Sequence, residues 1–264
     1  MTHPNEAETE QFTQQLEAQW GDRGRYFRGT YRLEGAQAIL EGRAAFEQAQ
    51  VNTRVYRPRH VHRYFFIDDQ FGPYLEGKLL DVGSRDNTLK ALLKKDATLV
   101  DKNNPNLPAF DWEKESLPFD DNSFDAVICL DTMEHIDRFH FAVDDLLRVS
   151  KRYVIISLPN CWRKMYKYML IKGQGSRPSY GLPPEPPLDR HRWFFNTEDI
   201  QDFFYYQSAV SPRPFTVREI RYHLPAEARW QPIVYPLALK LLPRRFFKNM
   251  MVNTVFLVLE KKSS

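Results

Sequence analysis

The chain has 264 residues, 42% of them hydrophobic and 27% charged, with a formal net charge of +3. These values suit one sizeable α/β domain with at most a modest appendage, and they make disorder not the default expectation. The charge excess is too small for a general nucleic-acid-binding surface, so no nucleic-acid partner is expected.

Two cysteines, Cys129 and Cys161, cannot supply a disulfide framework for a chain of this length. The first twenty residues are polar and lack an apolar signal core, and no run of about 18 apolar residues occurs that could span a bilayer. The expectation is a soluble cytoplasmic protein without a transmembrane segment.

In chain order, residues 1–76 read mainly as helix and form an N-terminal cap or substrate region, with apolar faces at Phe46 to Val51 and Val61 to Leu75. Within it Arg54, Arg57, Arg59, His60, His62 and Arg63 surround Tyr56, Tyr64, Phe65 and Phe66. Residues 77–264 read as the main domain. Near-continuous apolar runs predict strands at Lys78–Val82, Ala97–Asp101, Ala126–Leu130 and Tyr153–Leu158. Apolar residues at helical spacing predict helices over Asn87–Lys95 and Phe139–Val149. Alternation of this kind predicts βαβ units and a parallel sheet. An insertion at about 161–195 is mostly loop after one short helix, with the Pro183-Pro184-Glu185-Pro186-Pro187 cluster in it. A helix follows from Asn196 or Thr197, either of which suits an N-cap. Strands at Thr216–Tyr222 and Asn253–Glu260 then flank a second insertion at 224–251. The fold expected is α/β: a mostly parallel sheet with helices on both faces, closed by a final antiparallel hairpin.

Ligands of such sheets bind beyond the carboxyl ends of the strands. The first strand runs into Asp81-Val82-Gly83-Ser84-Arg85-Asp86-Asn87, where Gly83 permits a sharp turn and a close backbone approach. The second ends in Asp101, whose carboxylate can accept both hydroxyls of a ribose. The interval from Gly83 to Asp101 is near the roughly 20 residues of a nucleoside-binding βαβ unit. A GxGxxG turn is absent, because Arg85 stands where its second glycine would be. Asp86 would also oppose a pyrophosphate, which argues against a dinucleotide cofactor.

The stretch from Asp111 to Ile136 is the most telling. It contains Asp111-Trp112, then Leu117-Pro118-Phe119-Asp120-Asp121-Asn122-Ser123-Phe124-Asp125, then a strand, then Glu134-His135-Ile136. This pattern, from about Gly77 to Leu158, resembles class I S-adenosylmethionine-dependent methyltransferases of the type 11 kind. The resemblance implies a Rossmann-like fold with a seven-stranded sheet and S-adenosylmethionine as cofactor, with S-adenosylhomocysteine as product. It further implies that Asp81, Gly83 and Ser84 lie under the methionine moiety, that Asp101 holds the ribose, that Asp111 and Trp112 meet the adenine, and that Leu130 faces the cofactor. The turn Ser84-Arg85-Asp86-Asn87 departs from the family's glycine-rich form, so a non-catalytic binding or assembly protein on this fold stays open as an alternative. The run Leu158-Pro159-Asn160-Cys161-Trp162-Arg163-Lys164 resembles methyltransferases of bacterial surface-polysaccharide pathways. That points to O-methylation of a sugar, glycan-linked or other small polar acceptor. An RNA or protein methyltransferase has less behind it, since no Asn-Pro-Pro-Tyr-like motif follows the fourth strand.

Methyl transfer to oxygen needs an aligned nucleophile and a base. His191, oriented by Asp189, is the first candidate, and His135 the second. Asp131, Glu134 and His135 are similar to the array that holds a divalent metal in ubiquinone-type O-methyltransferases. The reading taken is nevertheless no metal, with this segment ordering the loop and His135 in the pocket. The N-terminal run from Arg54 to Phe66 and the basic and apolar run Leu241-Leu242-Pro243-Arg244-Arg245-Phe246-Phe247-Lys248 suit phosphate or sugar rings, an anionic membrane surface, or, more commonly, charges that snorkel over a core face.

Overall fold

The computed structural model describes residues 32–48, 50–56, 62–166, 180–187, 189–224 and 231–262, with isolated positions at 11, 14, 169 and 173. Nearly half of the expected N-terminal cap, with Arg57, Arg59 and His60, lies outside these residues, as does the side chain of His62.

Seven strands form one sheet: β1 (Gln50–Asn52), β2 (Leu79–Val82), β3 (Ala97–Val100), β4 (Phe124–Leu130), β5 (Ser150–Pro159), β6 (Phe215–His223) and β7 (Thr254–Lys261). Their order across the sheet is β1-β6-β7-β5-β4-β2-β3. All neighbours pair in parallel except β7, which runs antiparallel to both β5 and β6. The central strands are buried on both faces, which is why they read as unbroken apolar runs.

Six strands fall where the sequence puts them, give or take their ends. The seventh corrects the helical reading of the N-terminal stretch. Gln50–Asn52 pairs in parallel with Arg221–His223 at the sheet's edge. At the opposite edge no strand forms between Val100 and Phe124 among the described residues, where Pro105, Pro108 and Pro118 would each remove a ladder donor. The expected closing hairpin is an antiparallel β6–β7 pair, but its connection carries two helices, α7 (Gln231–Leu241) and α8 (Arg244–Met251).

Helices cover both faces. α4 (Phe139–Val149) turns Phe139, Ala142, Val143, Leu146 and Leu147 inward, onto Leu80, Val127 and Val154. α6 (Thr197–Val210) joins the same core through Ile200 and Phe204, and α1 (Leu33–Gln48) packs on α6. Asn196 is the N-cap of α6, accepting from the amides of Glu198 and Asp199, while the Asp199 side chain accepts from the Asn196 amide in return. On the other face lie α2 (His62–Phe71) and α3 (Thr88–Leu93). There Phe66 stacks on Phe256 of β7, with ring centroids 4.0 Å apart. Side-chain alternation along β2 sends Leu79 and Asp81 toward α2, and Leu80 and Val82 toward α4. The short helix α5 (Cys161–Tyr166) follows β5 directly.

Candidate functional site

A cavity of about 820 Å³ opens beyond the carboxyl ends of β2, β3, β4 and β5, reached by Gly83, Asp101, Asp131 and Pro159. It is lined further by Asp111, Trp112, Leu130, Glu134, His135, Asp189 and His191. Asp81 and Ser84 are each 1% exposed and lie beneath the Val82–Gly83 wall. The sheet's polarity thus brings together residues 110 positions apart in sequence.

The wall built by β2 depends on its turn. Gly83 has φ +73°, and a Cβ there would lie 2.2 Å from the Thr132 Oγ1. Arg85 takes φ +57° although it is not glycine. Its amide donates to Asp101 Oδ2 at 3.1 Å, and its carbonyl accepts from Asn104 Nδ2 at 2.7 Å. Hydrogen bonds from the next strand end therefore hold a turn that a second glycine would otherwise ease. Asp101 also accepts from the amides of Asn103 and Asn104 at 2.7 and 2.8 Å, so part of its carboxylate is spent on its own loop.

Asp111 is half-buried. Burial would raise its pKa, but the Lys102 ammonium 3.0 Å away and the Glu113 amide outweigh this and hold it below the usual range. Trp112 is turned into the core, where its indole N–H donates to Asp145 Oδ2 at 2.9 Å. Asp145 accepts in addition from the Leu117 amide at 2.7 Å. Arg148, 2.9 Å from Asp145, reaches the carbonyls of Leu117 and Phe119. This buried carboxylate and its arginine, both on α4, fix the segment from Trp112 to Asp121. Helical spacing alone marked α4 only as a packing element.

The other half of the cavity has a floor of buried polar groups. Tyr64 on α2 donates to Asp81 Oδ2 at 2.9 Å and also lies 3.0 Å from the Ser84 carbonyl. Arg63 bonds Asp131 Oδ2 at 2.9 Å, and Ser157 donates to Asp131 Oδ1 at 2.7 Å. Four buried atoms here have no hydrogen-bond partner: Arg63 Nε, Asp81 Oδ1, Ser84 Oγ and Glu134 Oε2. Arg63 and Tyr64 belong to the basic and aromatic N-terminal run that the sequence flagged, though as substrate-side residues.

Burial pushes Asp81 up to about 7, against the lowering effects of Tyr64 and Arg63. An unfolded aspartate ionises near pH 3.9, so between that pH and about 7 the unfolded chain releases a proton that the folded chain keeps. Stability attributable to Asp81 therefore falls as pH rises through this window and levels off above it. Asp81→Asn, which still offers Tyr64 an acceptor, should remove the slope. Denaturant titrations of the ligand-free protein should show the variant gaining about 2–3 kcal/mol on the wild type between pH 5 and pH 7. A constant difference across that range would contradict the assignment.

Asp189 and His191, paired in the sequence reading, each have a further partner here. Asp189 Oδ1 lies 2.9 Å from His135 Nδ1, and His191 Nδ1 pairs with the Tyr180 hydroxyl. The rings of His135 and His191 meet edge to face, 4.7 Å between centroids. The loop that carries Asp189 and His191 is laid over the Met133–His135 turn by two bonds: Arg192 N–H to the Glu134 carbonyl at 2.7 Å, and Trp193 Nε1 to the Ile136 carbonyl at 2.7 Å. These bonds bring His135 under Asp189.

Glu134, His135 and His191 present ligand atoms within 4.8 Å of one another, a set able to hold a divalent cation. Asp131, which the sequence grouped with Glu134 and His135, is instead occupied by Arg63 and Ser157. Burial and the nearby Asp131 raise Glu134 well above the ordinary carboxylate range.

Residues 86–157 match the family described as "Methyltransferase domain", a span from the turn after β2 to the end of β5. No curated protein matches the chain. Similar solved structures include a SAM dependent methyltransferase from Archaeoglobus fulgidus (14% identity, TM-score 0.44, 76% of this chain and 93% of that one). Another is an S-adenosylmethionine dependent methyltransferase from Mesorhizobium loti (11%, 0.41, 71% and 93%). A third is the [4+2]-cyclase SpnF (10%, 0.46, 88% and 96%). Likenesses this distant settle nothing about chemistry, which rests on the domain match. That match, on a mostly parallel seven-stranded sheet with its cavity at the carboxyl ends of β2 to β5, supports a methyltransferase that uses S-adenosylmethionine.

Proposed function

We propose that the protein transfers the methyl group of S-adenosylmethionine to a hydroxyl oxygen of a small polar acceptor, a sugar or glycan-linked unit. When bound, the cofactor supplies an electrophilic methyl on a sulfonium. The four unpartnered buried atoms support its seating, because its amino-acid end is a zwitterion. Arg63 suits the carboxylate. Asp81, Ser84 and Glu134 suit the ammonium and the positively charged sulfur. Asp101 and Asp111 are left for the ribose and the adenine amino group, with Leu130 and the backbone of Trp112 beside them.

The observation that carries the reading is the His135–Asp189 pair at the cavity. A carboxylate at Nδ1 makes that nitrogen the donor and leaves the lone pair on Nε2, where an acceptor hydroxyl can lose its proton. His191, steadied by Tyr180, stands against the same ring and suits a second contact to the acceptor. Arg190 and Arg192 line the cavity and favour an acceptor with an anionic group.

The test has two parts. Isothermal titration of the full chain with S-adenosylhomocysteine should give binding that Asp101→Ala weakens. Labelled methyl transfer, over a panel of sugar, phenol, amine and thiol acceptors, should select hydroxyls. Binding without transfer to any acceptor would favour a non-catalytic protein, and transfer confined to amines or RNA would replace the oxygen reading.

A second reading is favoured by the unpartnered Glu134 Oε2 beside two imidazoles, each of which spends its Nδ1 on a polar partner. A divalent cation held by Glu134, His135 and His191 would then lower the acceptor's pKa in place of a base. Loss of activity in chelator, restored by one divalent metal, would select this reading.

A further inference from the structure

We infer that helices α7 and α8 form a seat for an anionic phospholipid surface on the cavity's side of the molecule. No helix among the described residues is long and apolar enough to cross a membrane, so the contact is one of lying on the surface. The inference does not depend on which atom is methylated.

Six of the ten large apolar side chains exposed among the described residues lie between positions 233 and 246, so the exposure is concentrated there. On α7, Ile233 is 75% exposed, Leu237 55% and Leu241 72%. Their spacing of four residues makes one stripe along the helix. The opposite face is already used, since Tyr235, Ala238 and Leu242 pack with Leu224, Phe247 and Val51. The helix is therefore apolar on both sides, and among the described residues only one side is covered.

Charge decides the occupant. From Gln231 to Leu259 the sequence has no Asp or Glu, while Lys240, Arg244, Arg245 and Lys248 are basic. Arg245 is bound by Glu198 at 2.7 Å, and Lys248 is buried. Lys240 is exposed on the same helix as the apolar stripe. Exposed apolar side chains in a basic stretch of sequence that itself carries no acid complement a bilayer of anionic lipids. A second copy of the chain fits less well. A two-fold contact sets the same patch against itself, and so cation against cation.

Position links the seat to the site. β6 runs parallel to β5, because each is antiparallel to β7. The connection leaving β6 therefore emerges at the end of the sheet where the cavity opens. Asn160, next to the cavity residue Pro159, donates to the carbonyls of Asn249 and Val252 at 2.8 and 2.9 Å. Thr197 donates to Asn249 Oδ1 at 2.6 Å. The end of α8 is thus tied to the end of β5.

Co-sedimentation of the full chain with phosphatidylcholine vesicles, with and without phosphatidylglycerol, tests the inference. Binding should be at least about tenfold tighter to the anionic vesicles and should weaken in high salt. Leu237→Glu with Leu241→Glu, and separately Lys240→Glu, should each weaken it by about tenfold or more. All three positions are exposed, and unchanged S-adenosylhomocysteine affinity would show that the variants fold. Equal or absent binding to the two vesicle types, or variants that bind as the wild type does, would overturn it. So would a dimer that the double variant dissociates, since the stripe would then belong to a second copy.

Discussion

His135→Ala is expected to lower kcat by about 10²- to 10⁴-fold, the usual contribution of a positioned general base. The S-adenosylhomocysteine dissociation constant should stay within about threefold, because a base acts on the acceptor and not on cofactor affinity. Asp189→Asn should cost less than His135→Ala but more than a surface change. An amide in place of the carboxylate can still accept from Nδ1, yet it can equally donate, which sets the wrong tautomer. His191→Ala is the control. If it abolishes turnover while His135→Ala leaves kcat untouched, the base is His191 and the Asp189 pairing is structural. Labelled methyl transfer at saturating acceptor, with cofactor binding measured separately, distinguishes these outcomes.

Asp145→Ala should destabilise the protein by about 3–5 kcal/mol, since it strands an arginine and two buried donors at once. Asp145 is 3% exposed and accepts from Trp112 Nε1, the Leu117 amide and Arg148 Nε. For a chain of this size that loss lowers Tm by about 10 °C. The wall that carries Phe110, Asp111 and Trp112 would loosen with it, so S-adenosylhomocysteine affinity should fall by about tenfold or more. Asp145→Asn retains a carbonyl for one donor and should lie between wild type and alanine. A calorimetric Tm within about 2 °C of wild type for the alanine variant would mean that Arg148 and the loop carbonyls hold the segment without it.

Much of this arrangement is legible in the order of residues. Buried parallel strands have to be continuously apolar, so β4 and β5 stand out, and α4 is bounded to the residue by its repeating Phe139, Val143, Leu146 and Leu147. The positions that line the cavity follow from strand ends, which is why Gly83, Asp101 and Leu130 are found. What escapes is whatever depends on a distant partner. Gln50–Asn52 is three residues of ordinary polarity and becomes a strand only because β6 offers an open edge. Asp145 and Arg148 look like solvated helix charges until the Leu117–Asp121 loop is folded over them. Asp189 stands two residues from His191 but 54 from His135, and the loop's hydrogen bonds to Glu134 and Ile136 choose the farther partner. Arg63 and Tyr64 are visible as a basic and aromatic pair, but only the seating of α2 against β2 and β4 brings them beneath the cofactor cavity.

The turn at Arg85 carries a consequence for how such chains diverge. A glycine reaches a left-handed backbone angle unaided, whereas Arg85 reaches it while its amide donates to Asp101 and its carbonyl accepts from Asn104. Positions 85, 101 and 104 are thereby coupled, so a change at one alters what the others must supply. Glycine at 85 would remove the need for asparagine at 104, and loss of Asn104 would favour glycine at 85. Kinship in this fold is better sought in the angle the turn adopts than in the spelling of its residues.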